Sequence, residues 1–124
     1  MAVSNPRNLQ AIGYTAAAAL TAKQYYTVIS AGSGTVNVSS VQGDPIMGIL
    51  QNAPAIGTAA EIDIVGQSKV ILGATVADGA QVMCNSSGAA ITATTGEVAF
   101  GYVPDGGDSG EIVTVILCGN AQLN

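Results

Sequence analysis

Glu61 and Asp63 stand two residues apart in "AAEIDIV" (59–65), a spacing that puts both carboxylates on one face of an extended chain. Paired carboxylates can divide acid and base work at a scissile bond. Acids on the outer face of a strand also keep its edge from pairing with other molecules, and we read the pair in that way, as a solvated face. The sequence contains no histidine, which removes Ser-His-Asp and Cys-His nucleophilic chemistry and most metal-centred mechanisms. Only carboxylates, lysine, cysteine and tyrosine remain to move protons.

Asp105, Asp108 and Glu111 are concentrated among glycines in "DGGDSGE" (105–111), and spaced carboxylates with glycine can wrap calcium. The segment is shorter than an EF-hand loop and lacks its terminal glutamate, so it reads as a turn. Cys84 and Cys118 are far apart, with no CxxC and no histidine beside them, which disfavours a metal site and leaves two thiols behaving as small hydrophobes. "GATVADGAQV" (73–82) has the glycine and valine rhythm of lipoyl and biotinyl carrier domains, with Lys69 as the only lysine close to it. Lys69 sits in "SKVIL", outside the sequence contexts those domains modify. A carrier or small ligand-binding β domain is kept as the alternative reading. Neither "GSG" (32–34) nor "DGGDSG" (105–110) has the lysine and following helix of a phosphate cradle. We expect no catalytic residue, no cofactor and no metal.

The elements that must position these residues are short strands. The 124-residue chain has the length of one domain, and with one Phe, four Tyr and no Trp its core must be made of Val, Ile, Leu and Ala. Charged residues are 9% while apolar residues are 48%, a weakly charged surface suited to being covered by other protein. Residues 1–43 hold Arg7 and Lys23 and no acid, whereas the remainder holds eight acids and Lys69. An acidic body with so few cations argues against nucleic acid as a partner. No apolar run approaches the ~20 residues that span a bilayer, and the start lacks the order of a signal peptide. We expect no membrane partner and synthesis in the cytoplasm.

Residues 1–14, with Asn5, Pro6, Asn8 and Gly13, predict an extended arm, and 15–124 a single β domain. "TAAAALTA" (15–22) is balanced between a helical turn and an extended segment. From Lys23 onward the pattern predicts strands over 24–31, 35–41, 46–51, 59–65, 68–72, 80–84, 89–93, 97–103 and 111–118, the first two as a hairpin about "GSG". About nine to ten short strands indicate an all-β fold, a small barrel or a sandwich. The last is apolar on both faces, Ile112, Thr114, Ile116 and Cys118 on one and Val113, Val115 and Leu117 on the other, which predicts a strand covered on both sides.

"GDPIMGILQNAPAIGTAAEIDIVGQSKVILGATVADGAQV" (43–82), followed by "GYVPDGGDSGEIVTVIL" (101–117) and preceded by "LTAKQYYTVI" (20–29), resembles the small head decoration, or cement, proteins of tailed bacteriophages. The likeness covers roughly residues 15–117 and lies in the order of elements rather than in any one motif. It implies a non-enzymatic protein on the outer surface of the expanded head, bound as trimers that clamp neighbouring major capsid protein subunits. In that setting the arm with Arg7, Lys23, Tyr25 and Tyr26 is expected to face the capsid or a neighbouring subunit, since tyrosines bury a large ring and keep a polar handle. Phe100, Tyr102, Ile112 and Ile116 are expected at the trimer contact.

Overall fold

The computed structural model describes residues 8–122, with side chains over 10–121. Ten strands follow one another: β1 (Asn8–Ala11), β2 (Thr15–Ala16), β3 (Thr27–Gly32), β4 (Thr35–Val38), β5 (Gly48–Leu50), β6 (Ile62–Ile71), β7 (Gln81–Cys84), β8 (Ala90–Thr92), β9 (Val98–Tyr102) and β10 (Ile112–Gln122). They pair in the order β2-β4-β3-β5-β6-β10-β9-β7-β8, with β1 added to β6 outside that path. The terminal strands β2 and β8 do not meet, so the sheet is folded over in a sandwich-like manner rather than closed into a barrel. No helix occurs among the described residues, and the all-β reading of the sequence holds.

The hairpin forms where the pattern places it. β3 and β4 pair antiparallel across Ser33 and Gly34, both at positive φ, the backbone sign at both loop positions that matches the natural twist of the flanking strands. "TAAAALTA" is not helical. Ala16 and Leu20 are buried, and the backbone N–H groups of Ala17 and Leu20 donate to Val36 O and Pro54 O. Small alanines let this irregular segment lie close against its neighbours, and partners elsewhere in the fold take up its hydrogen bonds.

Two apolar clusters fill the sandwich. One gathers Ile49, Val70, Leu72, Val82, Phe100, Val115 and Leu117 among others, and the second gathers Ala16, Leu20, Val28, Val36, Leu50, Ala60 and Ile62. β5 divides them, because successive side chains of a strand point to opposite faces: Ile49 enters the first cluster and Leu50 the second. Gly48 is where β5 passes closest to β6, since a Cβ there would collide with Asp63 O and Ile62 Cγ2.

β6 joins into one strand two segments that the sequence separates at Gly66-Gln67. Gly66 takes φ 105° and the strand continues through it, pairing with β10 over 66–71 and with β5 and β1 over its first half. β10 also runs past the expected end at Cys118. Its register against β9 shifts between Leu117 and Ala121, leaving Cys118, Gly119 and Asn120 as a bulge.

Candidate functional site

The two carboxylates that share a face by spacing lie in different surroundings. Glu61 is exposed, whereas Asp63 is 1% exposed, which corrects the expectation that both acids lie on a solvated face. The cause is that β6 has neighbours along both edges at this point: Asp63 is paired with Gln10 of β1 and with Ile49 of β5. Its oxygens are taken up internally. Gln10 Nε2 donates to Asp63 Oδ1 at 2.9 Å, Ser68 Oγ donates to Oδ2 at 2.7 Å, and Gln51 Nε2 donates to Ser68 Oγ at 2.8 Å. A buried polar group satisfied in this way fixes register, and with both oxygens occupied and no second carboxylate beside it, the arrangement is poorly placed for acid and base work. Nothing in the local sequence marks this network, because Gln10, Gln51 and Ser68 come from three separate segments.

The acidic turn is held by its own carboxylates and by that of Asp78. Asp108 N donates to Glu111 Oε1 at 2.6 Å, Thr75 Oγ1 donates to Asp108 Oδ1 at 3.3 Å, and Gly106 N donates to Asp78 Oδ1 at 2.8 Å. Among the described residues no group of carboxylates and thiols is gathered in a way that could hold a metal ion. Lys69, the residue on which a carrier function would depend, lies within the β6 ladder opposite Thr114, not at a hairpin tip.

Both cysteines are free, Cys84 buried and Cys118 exposed in the β10 bulge. Burial pushes the Cys84 thiol above its usual range, against the opposing pull of backbone hydrogen bonds from the Gly43–Asp44 segment. Its Sγ lies 3.3 Å from Val41 O, to which it donates. The cavity beside the bulge, lined by Ile46, Ile64, Phe100, Leu117 and Asn120, measures about 30 Å³. That is the room of about one water molecule and far below the several hundred Å³ of a small-molecule site.

The residues expected to make contacts form two groups, with Phe100 and Arg7 outside both. Lys23, Tyr25 and Tyr26 share one corner ahead of β3 and are half-buried. The Lys23 ammonium lies 4.7 Å from the centroid of the Tyr26 ring, within cation–π range. Tyr25 has φ 72°, an uncommon conformation for a bulky residue. It is held there because Tyr25 N donates to Leu50 O and Tyr25 O accepts from Ile71 N.

On the far side of β6, Tyr102 (40% exposed) and Ile112 (49% exposed) present apolar surface, and half-buried Ile116 is paired directly with Tyr102. β10 is therefore buried on the face carrying Val115 and Leu117 and only partly covered on the other, where Ile112 and Cys118 are exposed and Thr114 and Ile116 half-buried, so this chain alone does not fully cover both its faces. Phe100 belongs to neither group. It is 2% exposed among the side chains of the first cluster, so its ring is packed into the core and offers no surface. Arg7 lies outside the described residues.

No protein-family model and no curated protein matches the chain. Among solved structures it is similar to the N base of the head fiber gp8.5 of bacteriophage phi29. The TM-score is 0.69 at 17% identity, over 88% of this chain and 92% of that one. The likeness runs through nearly the whole of both chains, and at this identity what they share is the fold.

Proposed function

We propose that the protein is a non-enzymatic structural component of a bacteriophage head. Within that role it acts as a decoration protein: it sits on the outer surface of the expanded shell as a trimer and clamps neighbouring major capsid protein subunits. The observation that carries this reading is the likeness of fold, over nearly the full length of both chains, to the base of a phage head fiber. The resemblance of residues 15–117 to head decoration proteins points the same way from the sequence.

The molecule's surface chemistry fits. Few strongly hydrated side chains must be stripped of water when another protein covers it. The corner formed by Lys23, Tyr25 and Tyr26 offers aromatic area with polar tips to the shell, and the open face of β10 with Tyr102 and Ile112 offers a patch for a sister subunit. Weak interactions of this kind, repeated on a symmetric lattice, add to strong retention without any one deep site.

Purified protein mixed with expanded, undecorated heads and sedimented should reach a plateau at a fixed multiple of three copies per repeating unit of the shell, and the decorated heads should resist heat better. Failure to co-sediment at micromolar protein would remove the reading.

A further inference from the structure

Lys23, Gln24, Tyr25 and Tyr26 form a turn closed by the bond from Tyr26 N to Lys23 O at 3.1 Å. Tyr25 is its third residue and has φ 72°, whereas Gln24 is not at positive φ. That combination is the mark of a type II turn, whose third position regularly holds glycine or asparagine. The chain follows this rule elsewhere. Eleven glycines have positive φ, and among the described residues only Ser33 and Tyr25 carry a side chain there. Ser33 is small and exposed in the loop between β3 and β4. Tyr25 is the exception, a bulky residue in a conformation that strains it.

The ring finds little inside the chain to offset this strain. The two hydrogen bonds that hold Tyr25, from its N–H to Leu50 O and from Ile71 N to its carbonyl, are backbone bonds and would serve glycine or asparagine equally. The half-buried Tyr25 is packed against neither apolar cluster, whereas Tyr14 packs on the second. Among the described residues the Tyr25 hydroxyl has no hydrogen-bond partner. Both of the chain's lysines stand near it in the fold. Lys23, two residues before it, holds its ammonium over the Tyr26 ring, and exposed Lys69 is two residues before Ile71, whose N–H the Tyr25 carbonyl accepts. On a molecule of net charge −5, this neighbourhood fits acidic side chains on a partner.

We infer that Tyr25 is the anchor of the contact with the shell, kept at positive φ at a cost to the chain's own stability because the turn then offers its ring to an acidic protein surface, with Lys23 and Lys69 beside it. This rests on the proposed function and deepens it, adding which residue carries the contact and what chemistry meets it.

Tyr25→Asn and Ser33→Gly each place at positive φ a residue suited to it, and each variant is measured by thermal melt of the free protein and by sedimentation with expanded, undecorated heads. Tyr25→Asn should melt no more than about 5 °C below the parent, or above it, and should bind heads at least about tenfold more weakly, as loss of an aromatic anchor does. Ser33→Gly should bind as the parent does. Binding of the parent should weaken several-fold between about 0.1 M and about 1 M salt. A Tyr25→Asn variant that melts lower than this limit would make the ring part of the fold, and one that binds as tightly as the parent would remove the anchor. Either result overturns the inference while the proposed function stands, and binding that ignores salt overturns the acidic partner. A parent protein that stays in the supernatant removes the proposed function and the anchor with it.

Discussion

The side chain of Asn120 grips the backbone of Ile46 at both ends: Asn120 Oδ1 accepts from Ile46 N at 3.2 Å and Asn120 Nδ2 donates to Ile46 O at 2.9 Å. It does with an amide side chain what a strand partner does with its backbone, at the place where β10 leaves its register against β9. Asn120→Ala removes both bonds and strands two partly buried backbone groups, so stability in chemical denaturation should fall by about 1–3 kcal/mol. Asn120→Asp keeps the acceptor and loses the donor, and should also destabilise.

Gly48→Ala tests the closest approach of β5 to β6. A methyl group there meets Asp63 O and Ile62 Cγ2, and backbone on one side leaves little room to yield. A loss of about 2–3 kcal/mol is expected. A loss below about 0.5 kcal/mol would mean that the two strands part easily.

Phe100 and Tyr102 are two residues apart and should separate stability from binding. Phe100→Ala opens a cavity in the first cluster and should cost about 3–5 kcal/mol. Tyr102→Ala should cost less than about 1 kcal/mol in a thermal melt and instead weaken self-association or retention on heads. Equal effects of the two on stability would contradict the burial difference between them.

The cysteines should differ in reactivity and in their effect on pH dependence. A maleimide at neutral pH should label Cys118 in the folded protein and Cys84 only after unfolding. Because burial raises the folded Cys84 pKa above its unfolded value, the folded state holds that proton while the unfolded state releases it. Stability from this group is thus complete below the unfolded pKa, near 9.0, and declines as pH rises above it. Cys84→Ala should flatten that alkaline decline, read as the slope of the melting temperature from neutral pH to about one unit above the ordinary thiol pKa.

What the sequence discloses is whatever one segment decides for itself. Alternation in the 35–41 run and two glycines flanking Ser33 suffice for a hairpin, and the β-branched residues of 112–117 suffice for a long strand. Spacing misplaces Asp63 because its burial depends on β1 and β5, which arrive from opposite directions in the chain, and period-two alternation says only which residues share a face. Gly66 looks like a break because glycine usually ends a strand, whereas here partners on both edges carry the ladder through it. Phe100 shows the same limit. An aromatic two residues from an exposed tyrosine reads as surface until residues from distant segments, Ile49, Val82 and Val115 among them, join it in one buried cluster. The irregular path of 15–22 follows from hydrogen bonds to Val36 and Pro54 that no local propensity encodes.

β5 is three residues long and forms the wall between the two clusters, Ile49 on one side and Leu50 on the other. Neither half can loosen without uncovering the strand that the other half rests on. The protein is therefore expected to open as one cooperative unit, with the amide of Leu50, bonded to Tyr26 O, exchanging its hydrogen only through global unfolding.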